Sequence, residues 1–210
     1  MWAERTAWAL AVVGLTTWGV LYLEGLKGAR HELKRFAALQ VASAQQSSAP
    51  DLSLWDAERI SAWRRALTEP APPPLAVLRI AKIGLEVPVL PGTGDFTLNR
   101  AVGHIEDTAL PGTDGNSGIA GHRDGFFRGL KDVRPADVIE LETLRGKEEY
   151  RVERIWIVYP EDVSVLDATP TRSLTLVTCY PFYHVGPAPQ RYIVRAVRAD
   201  NTAATVLGRR

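Results

Sequence analysis

A single cysteine, Cys179, stands in a chain of 210 residues. That scarcity excludes an intrachain disulfide and any multi-cysteine zinc or iron–sulfur site. Histidine is nearly as rare: the four residues are scattered and no H-E-x-x-H occurs, which argues against a metalloenzyme. Neither charge dominates, with 25 Lys+Arg against 24 Asp+Glu and a net charge of +1. The chain therefore lacks the basic footprint of a nucleic-acid binder or a polybasic membrane patch. At 46% hydrophobic it is too apolar to be a disordered chain.

Long apolar runs are also wanting, with one exception. Ala7 to Leu23 carries no charge over 17 residues, at the lower limit of roughly 17–25 for a membrane-spanning helix. Trp8, Trp18 and Tyr22 lie towards its ends, where interfacial aromatics collect. We expect a transmembrane anchor over 1–24. A cleaved signal peptide fits less well, since no small-x-small site follows closely. A buried helix of a soluble fold is the alternative, because Gly14, Thr16, Thr17 and Gly19 dilute the run. Lys27, Arg30, Lys34 and Arg35 follow it and only Arg5 precedes it. That balance would hold the bulk of the chain in the cytoplasm, but the rule is weak for large translocated domains.

Residues 25–74 read as a helical stalk and linker. Ser53-Leu-Trp-Asp56 has the spacing of a capping box, and Ile60, Trp63 and Leu67 recur at helical intervals after it. Pro70-Ala-Pro-Pro-Pro74 ends that helix with a stiff, extended joint. The amphipathic stripe needs an apolar surface to dock on, and Trp55 and Trp63 favour the domain that follows. From Leu75 the pattern changes to short strands and turns. Val77–Ile80, Leu85–Val89, Ile119–His122, Val138–Thr143, Glu149–Val158, Leu174–Cys179 and Arg191–Val197 are strand candidates, with Phe126–Leu130 a single helical turn. Pro88 suggests an edge or terminal strand position, and Arg145-Gly146-Lys147 a hairpin turn. Seven or eight short strands predict an all-β fold, a small barrel or sandwich over 75–199, before a polar tail at 200–210.

Cys179 sits at the carboxyl end of a strand, just before Tyr180-Pro181. A lone cysteine is commonly a small buried hydrophobe, but a strand-to-loop transition can expose its sulfur. An unperturbed thiol, with a pKa near ~8.5, is only a few per cent thiolate at neutral pH, so a useful one needs a base or a cation nearby. His122, in Ala120-Gly-His-Arg-Asp124 at the end of another short strand, is the first candidate. His104 and His184 compete, and His31 in the stalk is the weakest. Attack on a carbonyl also needs an oxyanion donor. Arg191 begins the strand after the Cys179 loop and can return to the same rim, always charged and with several donors. Arg195 and Arg198 read as ordinary solvated strand residues.

These residues resemble the sortases, cysteine transpeptidases of the bacterial surface. The family signature Thr-Leu-x-Thr-Cys appears as Thr175-Leu-Val-Thr178-Cys179, followed by Arg191, and Gly118-Ile-Ala-Gly-His122 resembles the stretch around the family's histidine. The intervals, 57 residues from His122 to Cys179 and 12 from Cys179 to Arg191, are of the family's size. The likeness runs through Lys82-Ile-Gly84, Gly103-His104, Pro111-Gly112, Gly115-Asn116 and Cys179-Tyr-Pro-Phe182, over roughly Leu75 to Ala199. The short Cys179–Arg191 loop, with Val185-Gly-Pro-Ala-Pro189, is most similar to class D, with class E second.

The resemblance implies a closed eight-stranded β-barrel with short helices, anchored on the outer face of the cytoplasmic membrane as a single-pass protein. It implies cleavage of a Leu-Pro-x-Thr-Gly-like (LPXTG-like) sorting signal after Thr, with Cys179 forming a thioacyl-enzyme. His122 would move the proton, Arg191 would hold the oxyanion, and Thr178 would contact substrate or simply pack. The acyl group would pass to an amine acceptor, a peptidoglycan peptide or a pilin lysine. No cofactor or metal is expected, although some family members are stimulated by calcium; Asp95, Glu106, Asp107 and Asp114 are the loop carboxylates to watch. The L,D-transpeptidases share Cys, His and Arg, but their Ser/Thr-His-Gly-Cys pattern is absent here. A non-catalytic β-barrel binding module is the remaining alternative.

Overall fold

The computed structural model describes residues 50–184 and 186–199. Ala7–Leu23, the stalk up to residue 49 and the tail from 200 lie outside the described residues. Among the described residues no helix is long and apolar enough to cross a membrane.

Eight strands close into one barrel: β1 (Ala76–Ile80), β2 (Leu85–Pro91), β3 (Val102–His104), β4 (Asn116–Ala120), β5 (Val138–Thr143), β6 (Gly146–Val158), β7 (Ser173–Tyr180) and β8 (Gln190–Arg198). Their order around the barrel is β1-β2-β3-β4-β7-β8-β6-β5, with β5 returning to β1. Two neighbouring pairs, β2–β3 and β4–β7, are parallel, so each needs a crossover. The first crossover carries helix α2 (Asp95–Arg100), and the second contains the β5–β6 hairpin and the turns at Phe126–Asp132 and Val163–Leu166.

Alternation along β7 and β8 sorts their side chains. Leu174, Leu176, Val194 and Ala196 enter the main core with Leu78, Ile119, Phe127 and Leu141. Val177 and Ile193 point the other way, into a smaller cluster with Trp156, Val158, Val165 and Leu166. Successive residues of a strand face opposite sides, so the barrel has an apolar interior and a second apolar strip outside, roofed by the 163–166 turn. Pro88 is neither terminal nor on an edge strand: it is the middle residue of β2 in a closed barrel, pairing with Val77 of β1 while the β2–β3 ladder starts only at Val89.

Three further details depart from the sequence reading, the first being that β4 runs Asn116–Ala120 and not Ile119–His122, so that His122 lies past its end. The helix before the barrel, α1 (Ala57–Ala66), is capped by Asp56, whose carboxylate accepts from the Arg59 N–H at 2.7 Å. Ser53 is thus not the cap, because Asp56 sits immediately before the first helical residue and is itself a strong cap. The hairpin turn is Leu144-Arg145, closed by the Thr143↔Gly146 pair, since Gly146 already begins β6 at a φ of 130°. Helix α1 lies against the barrel. Trp55 packs edge-on against Phe126, with centroids 4.9 Å apart, and against Trp63 at 6.2 Å. Arg100 donates to the carbonyls of Ala66 and Glu69, satisfying orphan acceptors at the helix end.

Candidate functional site

Cys179 is the penultimate residue of β7 and is partly exposed. In the antiparallel β7–β8 ladder it stands directly opposite Arg191, so the two Cβ atoms are about 5 Å apart on the same face. Parity with Val177 and Ile193 puts both on the outer strip. The Arg191 Nη1 donates to the carbonyls of Ala188 (3.3 Å) and Gln190 (3.0 Å), fixing one edge of the guanidinium.

His122 arrives from the other side. Parallel pairing aligns Ala120 with Val177, and the Gly121 N–H donates to the Val177 carbonyl at 3.1 Å. His122 lies two residues past that last pair on β4, as Cys179 does on β7. The chain turns there: the His122 carbonyl accepts from the N–H groups of Gly125 (3.1 Å) and Phe127 (3.3 Å). Gly121 is needed for close approach, since a Cβ there would meet the Phe127 ring at 2.8 Å. Burial holds the half-buried His122 imidazole below its ordinary pKa. Arg59 adds to that depression, while Asp124 and Asp95 oppose it.

The structure places Thr178 elsewhere. It faces the barrel interior, only 2% exposed, and its hydroxyl donates to the Gly121 carbonyl at 2.7 Å. The substrate contact considered for it is replaced by a packing role, because neighbours in a strand point to opposite faces. The other histidines separate as clearly. His104 is buried in β3, with Nε2 3.0 Å from the Ala109 carbonyl and 3.1 Å from the Thr108 hydroxyl. His184 is exposed and lies in the β7–β8 loop. His31 is outside the described residues. Arg195 is not a solvated residue: it donates to the Val165 carbonyl at 2.6 Å and lies over the Trp156 ring. Arg198 pairs with Glu148.

Sequence reasoning missed three residues around His122. Arg123 donates to the carbonyls of Pro181 (3.2 Å), His184 (2.8 Å) and Gly186 (2.8 Å), tying the histidine loop to the loop after Cys179. Asp124 is gripped by Arg59 of α1 through Nε–Oδ1 at 3.1 Å and Nη2–Oδ2 at 3.3 Å. Arg59 also donates to Asn99 of α2 at 2.6 Å. Adjacency to His122 was the one available signal for Arg123 and Asp124; Arg59 gave none. A cleft of about 400 Å³ opens between α1 and the histidine loop, lined by Arg59, Asp95, Asn99, His122 and Asp124 among others. Among the described residues no group of three His, Cys, Asp or Glu side chains is placed to hold a metal ion. Of the carboxylates watched for calcium, Asp114 is paired with Arg172 and Asp95 lines the cleft.

Cys179 and Arg191 thus face each other across β7 and β8, and His122 follows β4, the strand on the other side of β7. The sortase domain model matches residues 78–199, which includes all three. The chain belongs to the sortase family. It is 36% identical over 123 residues to Sortase D of Bacillus subtilis (strain 168), covering 58% of this chain and 62% of that protein. It thus matches about three fifths of that sortase's length. Among solved structures it is similar to a Clostridium perfringens Sortase D5 transpeptidase, with a TM-score of 0.57 and 26% identity over 80% of this chain and 98% of the other. Sortase E1 from Streptomyces coelicolor, solved with a tripeptide in its active site, gives a TM-score of 0.55 and 32% identity over 60% and 88% of the two chains. These relatives include sortases of classes D and E, and the sortase fold agrees with the expected closed barrel.

Proposed function

We propose that this sortase is a cysteine transpeptidase that cleaves an LPXTG-like sorting signal after Thr and passes the acyl group to an amine. The observation that carries the reading is the pairing of Cys179 with Arg191 across the β7–β8 ladder, with His122 two residues past the last β4–β7 pair, Ala120↔Val177. The Cys179 sulfur, its proton taken by neutral His122, attacks the threonine carbonyl carbon. The oxyanion is held by the Arg191 donors, which act where charge develops. Collapse breaks the C–N bond, His122 returns the proton to the leaving amine, and a thioester remains on Cys179. An incoming amine, deprotonated by His122, attacks that thioester and the C–S bond breaks, regenerating the thiol. Two steps through a covalent intermediate predict ping-pong kinetics.

The burial of His122 supports this cycle, because a depressed pKa keeps the imidazole neutral and able to accept a proton near neutral pH. The uncharged run Ala7–Leu23 supports anchoring in the cytoplasmic membrane, and meeting exported substrates requires the barrel to face outward. The acceptor is a primary amine of a peptidoglycan peptide or a pilin lysine.

The test incubates the full chain with quenched Leu-Pro-x-Thr-Gly and Leu-Ala-x-Thr-Gly peptides, with and without an amine, and reads intact mass. An acyl adduct on Cys179, discharged faster by amine than by water and absent in Cys179→Ala, is the expected result. A folded Cys179→Ala variant that still cleaves or transfers would overturn the mechanism.

A further inference from the structure

Helix α1 precedes the segment that the family model matches, yet its Arg59 reaches the histidine loop. Three bonds leave this one guanidinium: Nε and Nη2 to the two oxygens of Asp124, and Nη1 to Asn99. The side chain is largely covered, 18% exposed, and Asp124 is 31% exposed, so solvent competes only weakly for the bidentate pair. The stem adds a steric hold. Gly125 lies beneath it, and a Cβ there would sit 3.6 Å from the Arg59 Cδ and 3.5 Å from the His122 Cβ. Arginine and histidine therefore both border the space that a side chain at this position would fill. Asn99 carries the grip back to α2, and Arg100 of that helix holds the far end of α1 through Ala66 and Glu69.

We infer that Arg59 is a positioning residue for His122: by clamping Asp124 from a helix outside the barrel, it fixes the turn that presents the imidazole to Cys179 and keeps a positive charge beside it. This rests on the reading of His122 as the proton carrier. Besides Cys179 and Arg191 of the proposed site, the charged groups acting on His122 are Arg59 on α1, Asp95 on α2 and Asp124 on its own loop. Asp56, Glu58 and Arg65 line the same cleft farther along α1. Burial and Arg59 favour the neutral ring; the two carboxylates favour the charged one. Removing Arg59 subtracts a cation, frees Asp124 to act on the ring and admits water, and all three changes raise the His122 pKa.

The test compares full-chain wild type, Arg59→Ala, Arg59→Lys and Asp124→Asn by NMR titration of the His122 ring, and by kcat and KM on the quenched Leu-Pro-x-Thr-Gly and Leu-Ala-x-Thr-Gly peptides. In Arg59→Ala the ring should titrate at higher pH than in wild type. The acid limb of kcat/KM should move the same way, and kcat should fall about tenfold with KM nearly unchanged. Arg59→Lys keeps the charge but cannot fork onto Asp124 and Asn99 together, so its titration should stay near wild type while kcat falls in part. A simple loss of global stability would move neither the titration nor the acid limb. Should Arg59→Ala fail to fold, Arg59→Lys and Asp124→Asn carry the test: wild-type kcat in both overturns the inference. A folded Arg59→Ala with an unshifted His122 titration and wild-type kcat overturns it as well. His122→Ala distinguishes the two levels. If it is inactive while Arg59→Ala is unimpaired, only the role of Arg59 falls; if it is fully active, the mechanism falls and this inference with it.

Discussion

Strand β7 is joined to its two neighbours in different ways. Towards β8 the pairing is antiparallel, closes across a short loop and delivers Arg191 opposite Cys179. Towards β4 it is parallel, joins residues 57 apart in the chain and leads to His122 through a register that ends at Ala120. The antiparallel side is fastened by eight successive backbone pairs. The parallel side relies in addition on buried polar groups. Asn116 donates to the carbonyls of Val165 (3.2 Å) and Asp167 (3.1 Å) and accepts from Thr175 (2.6 Å) and Ser173 (3.3 Å). Thr178 completes that side by holding the Gly121 carbonyl. Local pairing thus places Arg191, and a side-chain network supports the strand that leads to His122.

Substitutions on the two sides should therefore fail differently. The largest effect is expected from Arg191→Lys: kcat/KM should fall about 100-fold or more, because an ammonium cannot reproduce the planar fork of donors, while the thermal midpoint stays close to wild type. Next, Asn116→Leu should cost about 2–3 kcal/mol in denaturant melts, since the buried carbonyls and hydroxyls it serves lose their partner. A cost no larger than that of a surface substitution would show that the parallel pair does not depend on this network. Thr178→Val, nearly isosteric, should cost about 1 kcal/mol and lower kcat more than it raises KM, by loosening the turn before His122. Wild-type kcat there would mean that the backbone bond from Gly121 to Val177 suffices. Lys82→Ala, which breaks the partly exposed pair with Asp137 at 2.8 Å, should change stability by about 0.5 kcal/mol or less and leave turnover unchanged. It is the baseline for the others.

The same division explains what the sequence revealed. Alternation and turn residues were enough to locate seven of the eight strands, because each strand has one face in a core. The missing strand, Val102–His104, is only three residues long and has no room for a pattern. Arg191 was legible because it follows Cys179 across one short loop, a local relation. His122 could not be chosen over His104 or His184 from spacing; what separates them is burial of His104 against Ala109 and Thr108 and the parallel register of β4, both long-range. Arg59 carried no signal in the sequence. Its partners lie 65 and 40 residues away, and nothing local in α1 announces them. Thr178 stayed ambiguous for a simpler reason: until the strand's face was known, neither it nor Cys179 could be assigned to the outside.

Cys179 and Thr178 occupy opposite faces of one strand, and Cys179 is the chain's single thiol. A slip of one residue between β7 and its neighbours would exchange the two, turning the sulfur into the core and the hydroxyl out. The rate of modification by a small thiol reagent thus becomes a gauge of strand registration during refolding. Misregistered molecules would protect their only thiol while keeping ordinary β-sheet content, and a pulse of reagent followed by mass measurement would count them without any substrate.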